Sequence, residues 1–185
     1  MLEITIPPVV SEQFDESKNE FVYSTVLEEQ TLQLEHSLVS LSKWESKWCK
    51  PFISHKEKTV EEILDYIKCM TLNDNVDPEV YKHLTVGNFN EVHEYINAPM
   101  TATTFSADRN GKGSREIITA ELIYYWMITL NIPFECREWH LNQLLTLIRV
   151  CNIKNSPPKK MSKSEIAKRN AALNAARRKQ LNTTG

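Results

Sequence analysis

The N-terminal part of the chain alternates between apolar and polar residues. Residues 2–6 alternate until Pro7 and predict a strand, because successive side chains of a strand point to opposite faces. Residues 31–35 alternate in the same way. Between them, the polar run 15–20 separates two apolar stretches and predicts a hairpin turn. We therefore expect a small N-terminal β-hairpin or sheet within residues 1–36.

From Ser37 onward, apolar residues recur every three or four positions, which predicts helices. Ser37 can cap a first helix, and Pro51 ends it. The apolar stripe of this helix consists of Leu38, Leu41, Trp44 and Trp48. Thr59 and Glu62 form a capping box, which marks the start of a second helix. The predicted apolar face of the second helix contains Val60, Ile63, Leu64, Ile67 and Met70.

Two short helices are predicted in the middle of the chain. Asp77 followed by Pro78 is typical of a helix start, and Asn88 or Asn90 can open the next helix. Residues 97–113 then have the composition and length of a loop. We expect these two helices to be peripheral.

The longest apolar stretch, residues 117–134, is interrupted by polar residues, which favours a core helix over a membrane span. Ser114 is expected to cap this helix, which would reach about residue 131. Its segment 122–128 is apolar nearly all round, so we expect it to be the central helix of the core. A further helix over 138–151 would bury one face, formed by Leu141, Leu144, Leu145, Ile148 and Cys151.

The C-terminal segment follows the helix breaker Pro157-Pro158. Ser162 and Glu165 form a second capping box, and the residues up to 181 have high helix propensity. Because this helix lacks a good apolar face, we expect it to be partly disordered and to order mainly on a partner.

The predicted fold is therefore mainly α, and we assign the chain to the all-α class. We expect one helical domain with a small N-terminal β-hairpin or sheet and a basic, helical C-terminal tail. The boundaries are an N-terminal strand region at 1–36, a helical body at 37–155 and a C-terminal extension at 156–185. A length of 185 residues suits one ordinary domain.

The net charge of −2 conceals an asymmetry. Residues 156–185 contain eight Lys and Arg against one acid and carry +7, whereas the remainder contains 14 bases against 23 acids and carries −9. The basic residues of the tail are Lys159, Lys160, Lys163, Lys168, Arg169, Arg177, Arg178 and Lys179. Such a split indicates a tail that meets an acidic partner, nucleic acid or its own acidic body, although a merely solvated terminus is the alternative.

Candidate chemistry in the sequence is sparse. Gly111–Ser114 lacks the spacing of a phosphate-binding loop and is better explained as a loop before a helix. Cys136 and His140 could face the same way on a helix, but two ligands do not make a metal site. The four cysteines are interpreted as buried small hydrophobes in a reducing cytosol, and nothing marks export. We expect a binding protein without cofactor or metal rather than an enzyme.

Two features remain as candidate partner-binding sites. Trp44 and Trp48, with lysines around them, could form an adhesive surface or belong to the core. The second candidate is the set of eight basic tail residues named above. The tail contains no aromatic residue to stack on bases, so recognition of single strands is not indicated.

Three stretches resemble parts of uncharacterised tailed-phage (Caudoviricetes) morphogenesis proteins. They are residues 30–48, residues 122–142 with Leu122-Ile-Tyr-Tyr-Trp-Met-Ile128 and Trp139-His-Leu-Asn142, and the ending with Met161-Ser-Lys163 and 170–181. The combination of a strand region, a helical body and a detachable extension is similar to tail assembly chaperones. That resemblance implies binding to the tape-measure protein in the cytoplasm of the infected bacterial host.

The resemblance leaves two alternatives open. One is a structural protein of the virion, such as a head-tail connector or completion protein. The other is a small regulator that binds nucleic acid through the basic tail. In each case the expected partners are phage macromolecules, a homo-oligomer is possible, and no membrane is involved.

Overall fold

The computed structural model describes residues 1–15, 19–55, 57–105, 116–156 and 163–182. Contacts divide the chain into two compact units, Met1–Asn152 and Ile153–Gly185. The first unit contains both the predicted strand region and most of the predicted helical body. The division falls inside the last turns of a helix, a few residues before the sequence-based boundary at 155.

Four antiparallel strands form the N-terminal region. They are β1 (Leu2–Ile6), β2 (Val9–Asp15), β3 (Glu20–Leu27) and β4 (Gln30–Leu34). β1 pairs with β4 in one two-stranded sheet, and β2 pairs with β3 in another. The predicted strands and hairpin are confirmed. These strands also make the fold mixed α and β, so the assignment to the all-α class is wrong, although most of the structure is helical.

Helices α1 (Leu38–Trp48) and α2 (Val60–Met70) begin where the sequence predicts. The Ser37 hydroxyl accepts from the Ser40 N–H, and both reciprocal hydrogen bonds of the Thr59–Glu62 capping box are present. The buried face of α2 differs from the predicted one. Tyr66, Ile67 and Met70 are buried, whereas Val60, at the first helical position, and Ile63, which lines a cavity, are exposed.

A 3-10 helix (Pro78–His83) and helix α3 (Val86–Asn97) follow. Asp77 caps the 3-10 helix as predicted. The predicted starts of α3 at Asn88 or Asn90 are wrong, because Thr85 is the cap. Asn88 instead acts as the reciprocal partner of Thr85 in a second capping box.

Helix α4 (Ala120–Thr129), a 3-10 helix (Phe134–Glu138) and helix α5 (Leu141–Asn155) follow. The N-cap of α4 is Thr119. Ser114, the predicted cap, lies outside the described residues, but residues 116–119 are not helical, so α4 begins later than predicted. Helix α5 likewise begins three residues after the predicted position and buries Leu141, Leu144 and Ile148, as expected.

The core is built around β1, β4 and α1. Ile4, Ile6, Leu32 and Leu34 of the sheet and Leu38, Leu41 and Trp44 of α1 are fully buried and belong to one hydrophobic core. Helix α1 contacts both α2 and α4. The expectation that α4 is central is wrong, because Tyr125 and Ile128 are exposed and only one face of α4 is buried.

In the second unit, helix α6 spans Lys163–Leu181. Every side chain of α6 that the structure describes is exposed. The predicted cap Ser162 and the prolines 157–158 lie outside the described residues, as does the side chain of Glu165.

Candidate functional site

Trp44 belongs to the core and not to a partner-binding surface. Its side chain is fully buried, and its indole N–H donates to the Glu62 carbonyl oxygen at 2.9 Å. The ring stacks against Trp48 with 6.1 Å between centroids. Because contact with a partner would require unfolding of the core, the interpretation of Trp44 as a binding residue is wrong.

Trp48 is only partly buried and remains accessible at the surface. Its indole N–H donates to Asp65 Oδ2 at 2.9 Å, and Lys47 forms an ion pair with the same carboxylate. The ammonium groups of Lys47 and Lys50 lie 5.9 and 5.7 Å from a Trp48 ring centroid. The hydrogen bond and the cation–π contacts fix the ring in place, so Trp48 presents a rigid edge.

The structure describes only six of the eight basic tail residues that are candidates for partner binding. Lys159 and Lys160 lie outside the described chain. The others are exposed on α6, namely Lys163, Lys168, Arg169, Arg177, Arg178 and Lys179. They are distributed around the whole helix, so α6 presents positive charge in every direction and no apolar stripe.

A buried polar cluster lies in the core of the first unit. His36 Nδ1 is 2.6 Å from the Tyr66 hydroxyl, and the rings of His36 and His140 are 5.1 Å apart. His140 Nε2 bonds to the Tyr95 carbonyl oxygen at 3.0 Å, and the Tyr95 hydroxyl donates to Glu35 Oε1 at 2.8 Å. Burial lowers the pKa of both histidines, that of His36 to about 3. The two histidines therefore contribute to the core as neutral, hydrogen-bonded rings.

Cysteine and metal chemistry receive no support from the described residues. Among them, no group of three His, Cys, Asp or Glu side chains is placed to hold a metal ion. Cys136 is buried, and burial raises the pKa of its thiol. Cys49 is exposed, contrary to the expectation that all four cysteines are buried, because it lies at the end of α1. Gly111–Ser114 lies outside the described residues.

The carboxylate of Glu62 connects the start of α2 to the end of α1. Besides the capping bond to the Thr59 N–H, it accepts from Lys50 Nζ at 2.5 Å and lies 3.7 Å from His55 Nε2. The hydrogen bond from Lys50, followed by that from Thr59, lowers the pKa of Glu62 to about 2. The Glu62 carboxylate therefore binds groups of its own chain and is not a candidate for binding a partner.

Helices α2 and α3 enclose a cavity of about 310 Å³ that is partly open to solvent. Its lining is mainly apolar, with Phe52, Ile63, Tyr66, Ile67, Phe89, Val92 and Ile96. The polar members are Lys58, His93 and Asn97. A second cavity of about 440 Å³, which reaches α5, shares Phe52, Lys58, Ile96 and Asn97 with the first. We call the two together the α2–α3 groove.

Lys58 is the cationic group of the α2–α3 groove. Its ammonium group lies 4.2 Å from the centroid of the Phe52 ring and donates to the His55 carbonyl oxygen at 2.6 Å. Burial lowers the pKa of Lys58, an effect that the charge of Glu62 partly offsets. Among the described residues, no carboxylate lies within ion-pair distance of it. An acidic group entering the groove would therefore meet a half-buried cation that has no ion-pair partner among the described residues.

A second accessible surface is the ribbon formed by β2 and β3, which we call the arm (described residues 9–15 and 19–27). Side chains on both of its faces are exposed, and within the described chain neither outer edge pairs with another strand. Phe14 and Phe21 form an edge-to-face pair with 5.0 Å between centroids. Unpaired edges and exposed aromatic rings are features that protein partners bind.

Sequence reasoning predicted the arm as a hairpin but not its exposure, and it missed the groove. Phe52 and Lys58 lie in the connection between α1 and α2, whereas Phe89 lies on α3, and no spacing in the chain relates the two segments. One signal was detectable, because Ile63 belongs to the apolar face predicted for α2 and lines the groove instead of the core.

No family model, curated protein or solved structure matches the chain. Within the described part of the chain, no helix combines the length and the apolar composition needed to cross a bilayer. The assignment of function therefore depends on the groove, the arm and α6.

Proposed function

We propose that this protein is a tailed-phage assembly protein, a tail assembly chaperone that binds the tape-measure protein in the cytoplasm of the infected bacterium. The observation that carries the proposal is the α2–α3 groove, whose first cavity is mainly apolar and whose two cavities share the cationic residue Lys58. A groove of this kind accepts the apolar face of an amphipathic helix through side chains spaced three and four residues apart. Hydrophobic coiled-coil segments of a tape-measure protein provide such faces.

Lys58 supports the same partner chemistry. Coiled-coil segments carry acidic residues beside their apolar seam. A Glu or Asp of the bound helix would pair with Lys58, whose ammonium group is already partly stripped of water. Covering the apolar seam would keep the client segments from aggregating before the tail is assembled.

The test is co-expression of the full chain with the tape-measure protein of the same phage. Ile63→Asp places a charge in the groove, whereas Val60→Asp places the same charge on α2 outside it. We expect wild type and Val60→Asp to keep the tape-measure protein soluble and to co-purify with it, and Ile63→Asp to lose both properties. Circular dichroism of each variant verifies the fold, and Lys58→Glu provides a second groove variant. Equal solubility of the client with all variants, or without this protein, would overturn the proposal.

The exposed basic helix α6 favours a second candidate, a virion protein or regulator that contacts DNA. Six basic side chains on α6 are exposed in the described residues. If they bind phosphates, affinity for duplex DNA should fall by about 10³-fold or more between low and moderate salt and vanish in a chain ending at Asn155. Presence of the protein in purified particles would favour the connector, whereas its absence would favour the chaperone.

A further inference from the structure

The arm carries an apolar face with an acid at its centre. Cross-strand partners of an antiparallel pair share a face, so Phe14 and Phe21 lie on the same side as the pair Glu12 and Tyr23. Phe21 is 58% exposed and Tyr23 is 65% exposed. The Tyr23 hydroxyl donates to Glu12 Oε1 at 2.9 Å. We call this side, with Val10, the aromatic face of the arm.

The opposite face of the arm differs in character. Ser11 and Ser24 are paired there, with their hydroxyl oxygens 2.7 Å apart. The aromatic rings are therefore concentrated on one side. A two-stranded ribbon with an exposed aromatic face is marginal in water, so a surface that covers this face would stabilise it.

The α2–α3 groove is complementary to the aromatic face in apolar character and in charge. The groove is lined by apolar side chains and is large enough for the rings of Phe14 and Phe21. Its Lys58 lies over Phe52 without an acidic partner among the described residues, while Glu12 lies between aromatic rings. An acid within an apolar face matches a cation within an apolar cavity.

We propose that the aromatic face of the arm docks into the α2–α3 groove of a second copy of this chain, with Glu12 paired to Lys58. Two copies that exchange arms form a closed dimer, whereas arms donated in one direction form a ring or an open chain. The inference goes beyond the proposed function because self-association requires no client. In a chaperone, it would also cover the groove until a client displaces the arm.

The experiment measures the mass of the purified full chain by sedimentation equilibrium over a range of protein concentrations, without any phage partner. We expect wild type to associate reversibly. Glu12→Lys and Lys58→Glu should each weaken association at least about tenfold, since each places like charges opposite one another. The double variant Glu12→Lys with Lys58→Glu should recover most of the loss. Ser24→Glu, on the other face of the arm, is the matched control and should associate like wild type.

Three results would overturn the inference. They are a monomer at every concentration, association that Lys58→Glu leaves unchanged, and a double variant no better than the single ones. Unchanged association in Lys58→Glu would indicate that arms pair through their free edges or that another surface is used. Circular dichroism verifies that each variant is folded. A failure here leaves the solubility test of the tape-measure client unaffected, because that test scores Ile63→Asp against Val60→Asp.

Discussion

His36 Nδ1 and the Tyr66 hydroxyl lie 2.6 Å apart in the core, where they share a hydrogen bond between the segment that follows β4 and helix α2. Both side chains are buried, and the ring of His140 lies edge-on to His36 at 5.1 Å. Burial, followed by the charge of His140, lowers the pKa of His36 from 6.5 to about 3. The folded protein therefore holds His36 as neutral imidazole at all but strongly acidic pH.

Acidification is expected to destabilise the protein through His36. Below pH 6.5 His36 is protonated in the unfolded chain, whereas in the folded chain it is protonated only below about pH 3. The stabilisation is thus complete above pH 6.5 and is lost as the pH falls towards 3, by about 1.4 kcal/mol per pH unit. Urea unfolding at several pH values measures this slope.

The contribution of His36 is separated by His36→Asn, in which the amide can retain the bond to Tyr66 without titrating. Between pH 6.5 and 4, the unfolding free energy of this variant should fall less steeply with pH than that of wild type. The difference in slope should correspond to about one proton fewer taken up on unfolding. His83→Asn changes a histidine outside the core cluster and should leave the slope unchanged. Equal slopes for wild type and His36→Asn would show that protonation of His36 does not cause the loss of stability at acidic pH.

We expect substitution of Glu45, a buried carboxylate, to destabilise the fold. Its Oε1 accepts from the Phe52 N–H at 2.8 Å, and its Oε2 accepts from the Ala120 N–H at 2.7 Å. It therefore caps α4, whose own N-cap Thr119 makes no side-chain bond. Glu45→Ala leaves two buried donors without an acceptor, which should cost about 2–4 kcal/mol in unfolding free energy. Urea unfolding measures it, and Glu91→Ala, a surface change on α3, should cost less than about 0.5 kcal/mol.

The local signals in the sequence were sufficient for most elements. Ser37, Thr59 and Asp77 are helix caps because their side chains bond to nearby N–H groups, and such signals need only a few residues. The start of α3 was missed although its capping box, Thr85 with Asn88, is local, whereas the late start of α4 depends on a distant residue. Helix α4 begins at Ala120 because Glu45, from α1, supplies its cap, and no local pattern contains that information.

The candidate site was less predictable for the same reason. The sequence does not distinguish a tryptophan that binds a partner from one that fills the core. The burial of Trp44 follows from the packing of α1 against α2 and α4. The α2–α3 groove arises where two helices leave space between them. The basic tail was visible because charge is a property of composition, which folding does not change.

Removal of the tail should leave the first unit folded. The contact-based boundary at Asn152 and the exposure of the described side chains of α6 indicate that the tail contributes little buried apolar area. A chain ending at Asn155 should keep its unfolding free energy within about 0.5 kcal/mol of wild type. Differential scanning calorimetry measures the transition, and loss of a cooperative transition would show that residues 156–185 are integral to the fold.

Cys49 occupies a left-handed backbone conformation, with φ at 53°, at the C-terminal end of α1. Its N–H donates to the Glu45 carbonyl oxygen at 2.8 Å, which closes the last turn of the helix. A side chain strains this conformation, whereas glycine adopts it freely. Cys49→Gly should therefore raise the unfolding free energy by about 0.5–1 kcal/mol, less than the full cost of a left-handed residue because glycine is also more flexible when unfolded. Cys49→Ala also removes the thiol but keeps the strain, so urea unfolding should show no gain for it. An equal gain for Ala and Gly would locate the effect in the loss of the thiol instead of the backbone.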